Sequence, residues 1–132
     1  MATSSLMMRE AFVALAACSF ESVVSFYERL LGRSPQPYVP QVYAEFLLPG
    51  VKLGIFRPSA DHIEEFDQSK RAGLSLCLEV EDLDEAIAHL THIGYPPEGQ
   101  PKTASHGRET YAYDPEGNRL ILHQSKSYIR ES

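Results

Sequence analysis

Two stretches of this chain repeat one pattern of apolar and polar positions. In Ser75 to Gly94, Leu76, Leu78 and Val80 alternate with Ser75, Cys77 and Glu79, the period of a half-buried strand. Asp82 follows as a helix N-cap, with Glu85 three residues on in a capping-box arrangement. Leu83, Ala86, Ile87, Leu90 and Ile93 then recur at helical spacing, and Gly94 supplies a left-handed stop. Phe12 to Gly32 is written the same way. Val13, Leu15 and Ala17 alternate, Ser19 stands as cap, and Phe20, Val23, Val24, Tyr27, Leu30 and Leu31 share a helical face ahead of Gly32. Phe12 answers to Ser75 and Ser19 to Asp82 at one offset of 63 (75 − 12 and 82 − 19), so the chain reads as a tandem duplication.

Each half continues alike. Three prolines between Arg33 and Pro40 exclude a helix there. Val42 to Leu48 and Val51 to Phe56 read as strands around Pro49-Gly50. After Gly94 and a second proline-rich connection, Glu109 to Tyr113 and Arg119 to His123 read as strands around the turn Asp114-Pro115-Glu116-Gly117-Asn118. The pattern predicts an α+β fold of two βαβββ modules, residues 10–58 and 73–125, joined by a polar linker at 59–72. His62 lies in that linker among Asp61, Glu64 and Glu65, where a solvated connection outweighs a metal site.

Composition narrows the function. The chain has 132 residues, 43% of them apolar and 23% charged, which suits a folded domain rather than a disordered one. A net charge of −6 and no run of Lys or Arg argue against a nucleic-acid partner. No apolar run is long enough to span a membrane. Leu15-Ala16-Ala17-Cys18 looks like a lipoprotein cleavage box, but Arg9 and Glu10 break the apolar stretch before it. Two cysteines, Cys18 and Cys77, do not make a disulfide framework, so a cytoplasmic location is expected.

The duplication, with SFYERLLG at 25–32, VEDLDEA at 80–86 and YDPEGNRL at 113–120, resembles the vicinal oxygen chelate superfamily. That group includes glyoxalase I, extradiol dioxygenases and the fosfomycin- and bleomycin-resistance proteins. The resemblance implies strands curled around a cleft with the helices outside. It also implies a divalent metal held from the first and last strand of each module, at positions that fall on Phe12, Gly54, Ser75 and Ile121. Phe, Gly and Ile offer no donor atom, and a lone serine hydroxyl is a poor one. The chain therefore resembles the metal-free branch, typified by bleomycin resistance. No cofactor is expected, and the implied function is to sequester or carry a small organic molecule. The alternative is a glyoxalase-like lyase or dioxygenase-type enzyme with a displaced metal or side-chain catalysis.

Strand alternation assigns Phe12, Gly54 and Phe56 of the first module to the cleft, Gly54 by leaving room and Phe12 by offering a ring. From the second module it assigns Ser75, Cys77, Glu79, Arg119, Ile121 and His123. Arg108, in a loop before the seventh strand, borders the cleft mouth as an anchor for an anion. Tyr111 and Tyr113 share a face, cleft or helix side left open. If Ser75 neighbours Ile121, then Cys77 neighbours His123, a pairing that can activate a thiolate. Open sheet edges and the resemblance together imply a homodimer.

Overall fold

The computed structural model describes residues 6–66 and 73–126. Eight strands and two α-helices follow in duplicate order: β1 (Val13–Ala16), α1 (Phe20–Leu31), β2 (Tyr38–Val39), β3 (Tyr43–Leu48), β4 (Val51–Phe56), then β5 (Leu76–Glu79), α2 (Leu83–His92), β6 (Lys102–Ala104), β7 (Gly107–Tyr113) and β8 (Arg119–Ser125). They form two four-stranded mixed sheets, ordered β1-β4-β3-β2 and β5-β8-β7-β6. In each, the first strand runs parallel to the last and the other pairings are antiparallel.

The alternation read from sequence is the alternation of burial. Ala44, Phe46, Leu53 and Ile55 of the first sheet and Ala112, Leu120 and Leu122 of the second turn to the helix side and are buried. Phe20, Val23, Val24, Phe26 and Tyr27 of α1 and Leu83 and Leu90 of α2 complete one core shared by both modules. Helices thus cover one face of each sheet and leave the other open.

The modules are joined through that core. Tyr27 donates its hydroxyl to Asp114 Oδ2 at 2.7 Å, both groups buried, and Phe26 meets Tyr95 edge to face. Asp114 also accepts from the Glu116 and Asn118 backbone N–H groups and from the Asn118 side-chain amide, each at 2.9 Å. The turn that alternation marks as a hairpin is therefore the docking point for α1.

Helix capping differs between the halves. Asp82 caps α2 as its sequence predicts, accepting from Glu85 N at 3.1 Å. Buried Gln124 adds a second acceptor, taking the Leu83 N–H at 2.8 Å. Ser19 precedes α1 but makes no side-chain cap. A residue from the other module instead holds the segment entering the helix: the Glu116 carboxylate accepts from the backbone N–H groups of Cys18 and Ser19, at 3.0 and 3.4 Å. An anion at a helix N-terminus also complements the helix dipole.

The linker is not wholly irregular. Ala60–Phe66 forms a 3-10 helix, and Phe66 packs edge-on against Phe56 with ring centroids 5.3 Å apart. The rest of the expected linker, 67–72, lies outside the described residues. His62 is exposed and paired with Glu65 Oε1 at 3.0 Å.

Candidate functional site

Registered partners on adjacent strands project to the same side of a sheet, so the strand register defines both open faces. On the first sheet, Ala14 pairs with Gly54 and Gly54 with Glu45, while Phe56 pairs with Tyr43. Phe12 precedes β1 and is half exposed. Gly54 does not open a pocket, because the Tyr43 ring lies over it: an added Cβ would stand 2.7 Å from the Tyr43 hydroxyl. That hydroxyl donates to Glu45 at 2.9 Å. Desolvation, with the Glu45 hydrogen bond second, pushes the Tyr43 phenol up to about 12.

The open face of the second sheet is a ladder of polar and aromatic side chains. Tyr113 pairs with Arg119, and the Arg119 Nε–H donates to Ser75 Oγ at 2.6 Å. One step along, Cys77, Ile121 and Tyr111 lie abreast; one step further come Glu79, His123 and Glu109. Both tyrosines thus belong to the open face, which settles the side that alternation left undecided. Six of the expected residues (Ser75, Cys77, Glu79, Arg119, Ile121 and His123) come together here, whereas Phe12, Gly54 and Phe56 belong to the other sheet.

Two expectations are corrected. Arg108 is not at a cleft mouth. β7 begins at Gly107, so Arg108 is a strand residue opposite Gln124 on the helix side, where it pairs with Asp84 Oδ1 at 3.2 Å. The parallel register is also shifted by two residues. Cys77 opposes Ile121 and Glu79 opposes His123, so the imidazole meets a carboxylate, not the thiol. Desolvation, then the charges of Glu79 and Glu109, push the Cys77 thiol up, the reverse of activation. Alkylation of Cys77 is expected to follow a thiol pKa above the ordinary value of about 8.5, and Glu79→Gln to lower it. An ordinary or depressed pKa in a rate–pH profile would contradict this.

His123 joins a group that strand patterns did not bring forward. Its Nδ1 meets Glu79 Oε1 at 2.7 Å, and its Nε2 meets His106 Nδ1 at 2.8 Å, the two rings stacked at 5.0 Å. The second Glu79 oxygen accepts the Ser125 N–H at 2.6 Å. Donor atoms of His106, Glu109 and His123 all lie within 4.8 Å of one another. His106 occupies the tight turn into β7 and belongs to no periodic segment. The available signal was the pair His106 and Glu109, three residues apart, facing His123 across a hairpin.

The four positions that the resemblance marks for a metal do not fit one. Ser75 already accepts from a guanidinium, Gly54 lies beneath Tyr43, and Phe12 and Ile121 carry no donor.

Solved structures share this fold across nearly the whole chain. A bleomycin resistance determinant encoded on the transposon Tn5 is 23% identical, with 90% of this chain and 99% of that chain covered and a TM-score of 0.64. TnmS3, an antibiotic binding protein from Streptomyces sp. CB03234, is 22% identical over 93% and 100% of the two chains, with a TM-score of 0.65. A lactoylglutathione lyase from Agrobacterium tumefaciens is 19% identical over 96% and 100%, with a TM-score of 0.67. No curated protein matches the sequence. The family model described as "Glyoxalase/Bleomycin resistance protein/Dioxygenase superfamily" matches residues 11–122, and this chain belongs to that superfamily.

Proposed function

We propose that the chain binds a small organic molecule against its open sheet faces, with no metal at Phe12, Gly54, Ser75 or Ile121. The observation that carries this reading is the second sheet's open face. There Tyr111, Tyr113 and Ile121 offer apolar surface beside the hydrogen-bonded pair Ser75–Arg119. Aromatic and apolar surface beside fixed polar groups suits an organic ligand that carries both. Among structures of the same fold, one is named a bleomycin resistance determinant and another an antibiotic binding protein, which favours sequestration. The net charge of −6 favours a cationic ligand, while Arg119 keeps the face from being strongly anionic.

The working form is a homodimer in the cytoplasm. β1, β2, β5 and β6 are all sheet edges, and each sheet leaves one face open. A second copy covers the edges and turns two open faces into a closed cleft. A displaced-metal enzyme is the second reading, favoured by the His106–Glu109–His123 group.

Bleomycin as a cationic probe and S-lactoylglutathione as an anionic one separate these readings. A binding protein is expected to show a higher melting temperature with one probe and no conversion of either, the stabilisation reaching about 2.7 kcal/mol at a hundredfold excess over Kd. Chemical conversion of S-lactoylglutathione would contradict it and support the enzyme.

A further inference from the structure

We propose that His106, Glu109 and His123 form a binding site for a divalent transition metal such as zinc, one pleat step along β8 from the position of Ile121. This goes beyond the ligand-binding reading and does not rest on it. The expectation of a metal-free chain rested on Phe12, Gly54, Ser75 and Ile121, and none of the three residues here is among them, so a stoichiometric metal in this group would overturn that expectation for the chain as a whole.

Three observations carry the inference. The first is the donor set: two imidazole nitrogens and one carboxylate are the ligands that zinc and its neighbours prefer. The second is proximity, since the three donor atoms lie within 4.8 Å of one another. Bonds of ~2.0–2.2 Å to one tetrahedral ion place donors about 3.4 Å apart. His106 Nδ1 and His123 Nε2, now 2.8 Å apart, need only separate slightly to admit the ion. The third is orientation. The His123 Nδ1–H donates to Glu79, so the lone pair of Nε2 points at His106, and Glu79 is itself held by the Ser125 N–H. An imidazole whose far nitrogen is fixed by a carboxylate is the usual support for a metal-bound histidine.

The backbone makes the arrangement stiff. Glu109 and His123 are registered partners on β7 and β8, and His106 lies in the β6–β7 turn, next to Gly107. His106 is exposed while Glu109 and His123 are half-buried, so an ion reaches the site from solvent and keeps positions for water or a ligand donor. Glu79 is a positioning residue, acting through His123.

The test is zinc titration of untagged protein by calorimetry, with cobalt absorption spectra as the second readout. Wild type is expected to bind one equivalent of zinc and to give a tetrahedral or five-coordinate cobalt spectrum. His106→Ala, Glu109→Gln and their double variant are expected to weaken binding at least ~100-fold. Glu79→Gln is expected to weaken it roughly 10- to 100-fold. His62→Ala, in the exposed pair with Glu65, is expected to leave zinc affinity unchanged. Circular dichroism confirms that each variant is folded before titration. No stoichiometric zinc on folded wild type overturns the proposal, as does undiminished binding in the His106→Ala/Glu109→Gln double variant.

Discussion

Replacing Asp114 with alanine is expected to remove about 3–5 kcal/mol of stability, the largest loss from any single buried polar side chain among the described residues. The carboxylate accepts four hydrogen bonds in a buried position, from Tyr27, from two backbone N–H groups and from the Asn118 amide. Alanine strands all four donors at once. For a domain of this size the loss corresponds to a melting temperature lower by roughly 10–20 °C. Tyr27→Phe removes one donor and leaves the turn intact, so about 1.5–3 kcal/mol is expected. Burial, then the charge of Asp114 and their hydrogen bond, raise the Tyr27 phenol well above its ordinary value. The unfolded chain therefore loses that proton first, and stability present below about pH 10 declines as pH rises above it. Tyr27→Phe is expected to flatten this alkaline decline in denaturant titrations. A loss under about 1 kcal/mol in Asp114→Ala would mean that the turn and α1 do not depend on each other.

Gly107→Ala is expected to cost about 2–4 kcal/mol. Gly107 has φ 145°, and an added Cβ would collide with the Gln124 carbonyl oxygen and stand 3.0 Å from Ser125 Cα. These are backbone atoms of the paired strand, so no side-chain rotation relieves the contact; β7 and β8 must part at the end that carries His106. Gly50 is the control. It also has positive φ, 82°, but meets nothing within 4 Å, so Gly50→Ala is expected to cost only the conformational strain, about 1 kcal/mol. Thermal melts compare the two. Equal losses would show that the strand contact at Gly107 carries no penalty.

Much of the architecture was legible because burial follows parity. Leu76, Leu78 and Val80, or Leu120 and Leu122, declare a strand with one covered face, and the repeat at offset 63 declares the second copy. Parity does not fix how far one parallel strand slides against another. A shift of two residues keeps every side chain on its face, so Cys77 and Glu79 compete equally for His123 until the strands are seen together. Arg108 departs from its expected place for a related reason. Its face depends on whether β7 starts before or after it, and strand ends are weakly marked in sequence. The vacancy at Gly54 was real in the sequence but not in space, since the side chain that fills it, Tyr43, comes from a neighbouring strand. Tyr27–Asp114 and Glu116 at the head of α1 join residues nearly ninety or more positions apart, and local periodicity carries no trace of them. His106 falls in the loop before β7 on the sequence, but its partners Glu109 and His123 are not legible there, because turns have no period.

The central claim, that this chain holds a small organic molecule on faces that a second copy closes over, is tested most directly by native mass spectrometry of untagged protein purified under gentle conditions. The account expects a dimer carrying an organic adduct that is released on denaturation and identified by its own mass. An unadorned monomer, with no organic mass released, would contradict it.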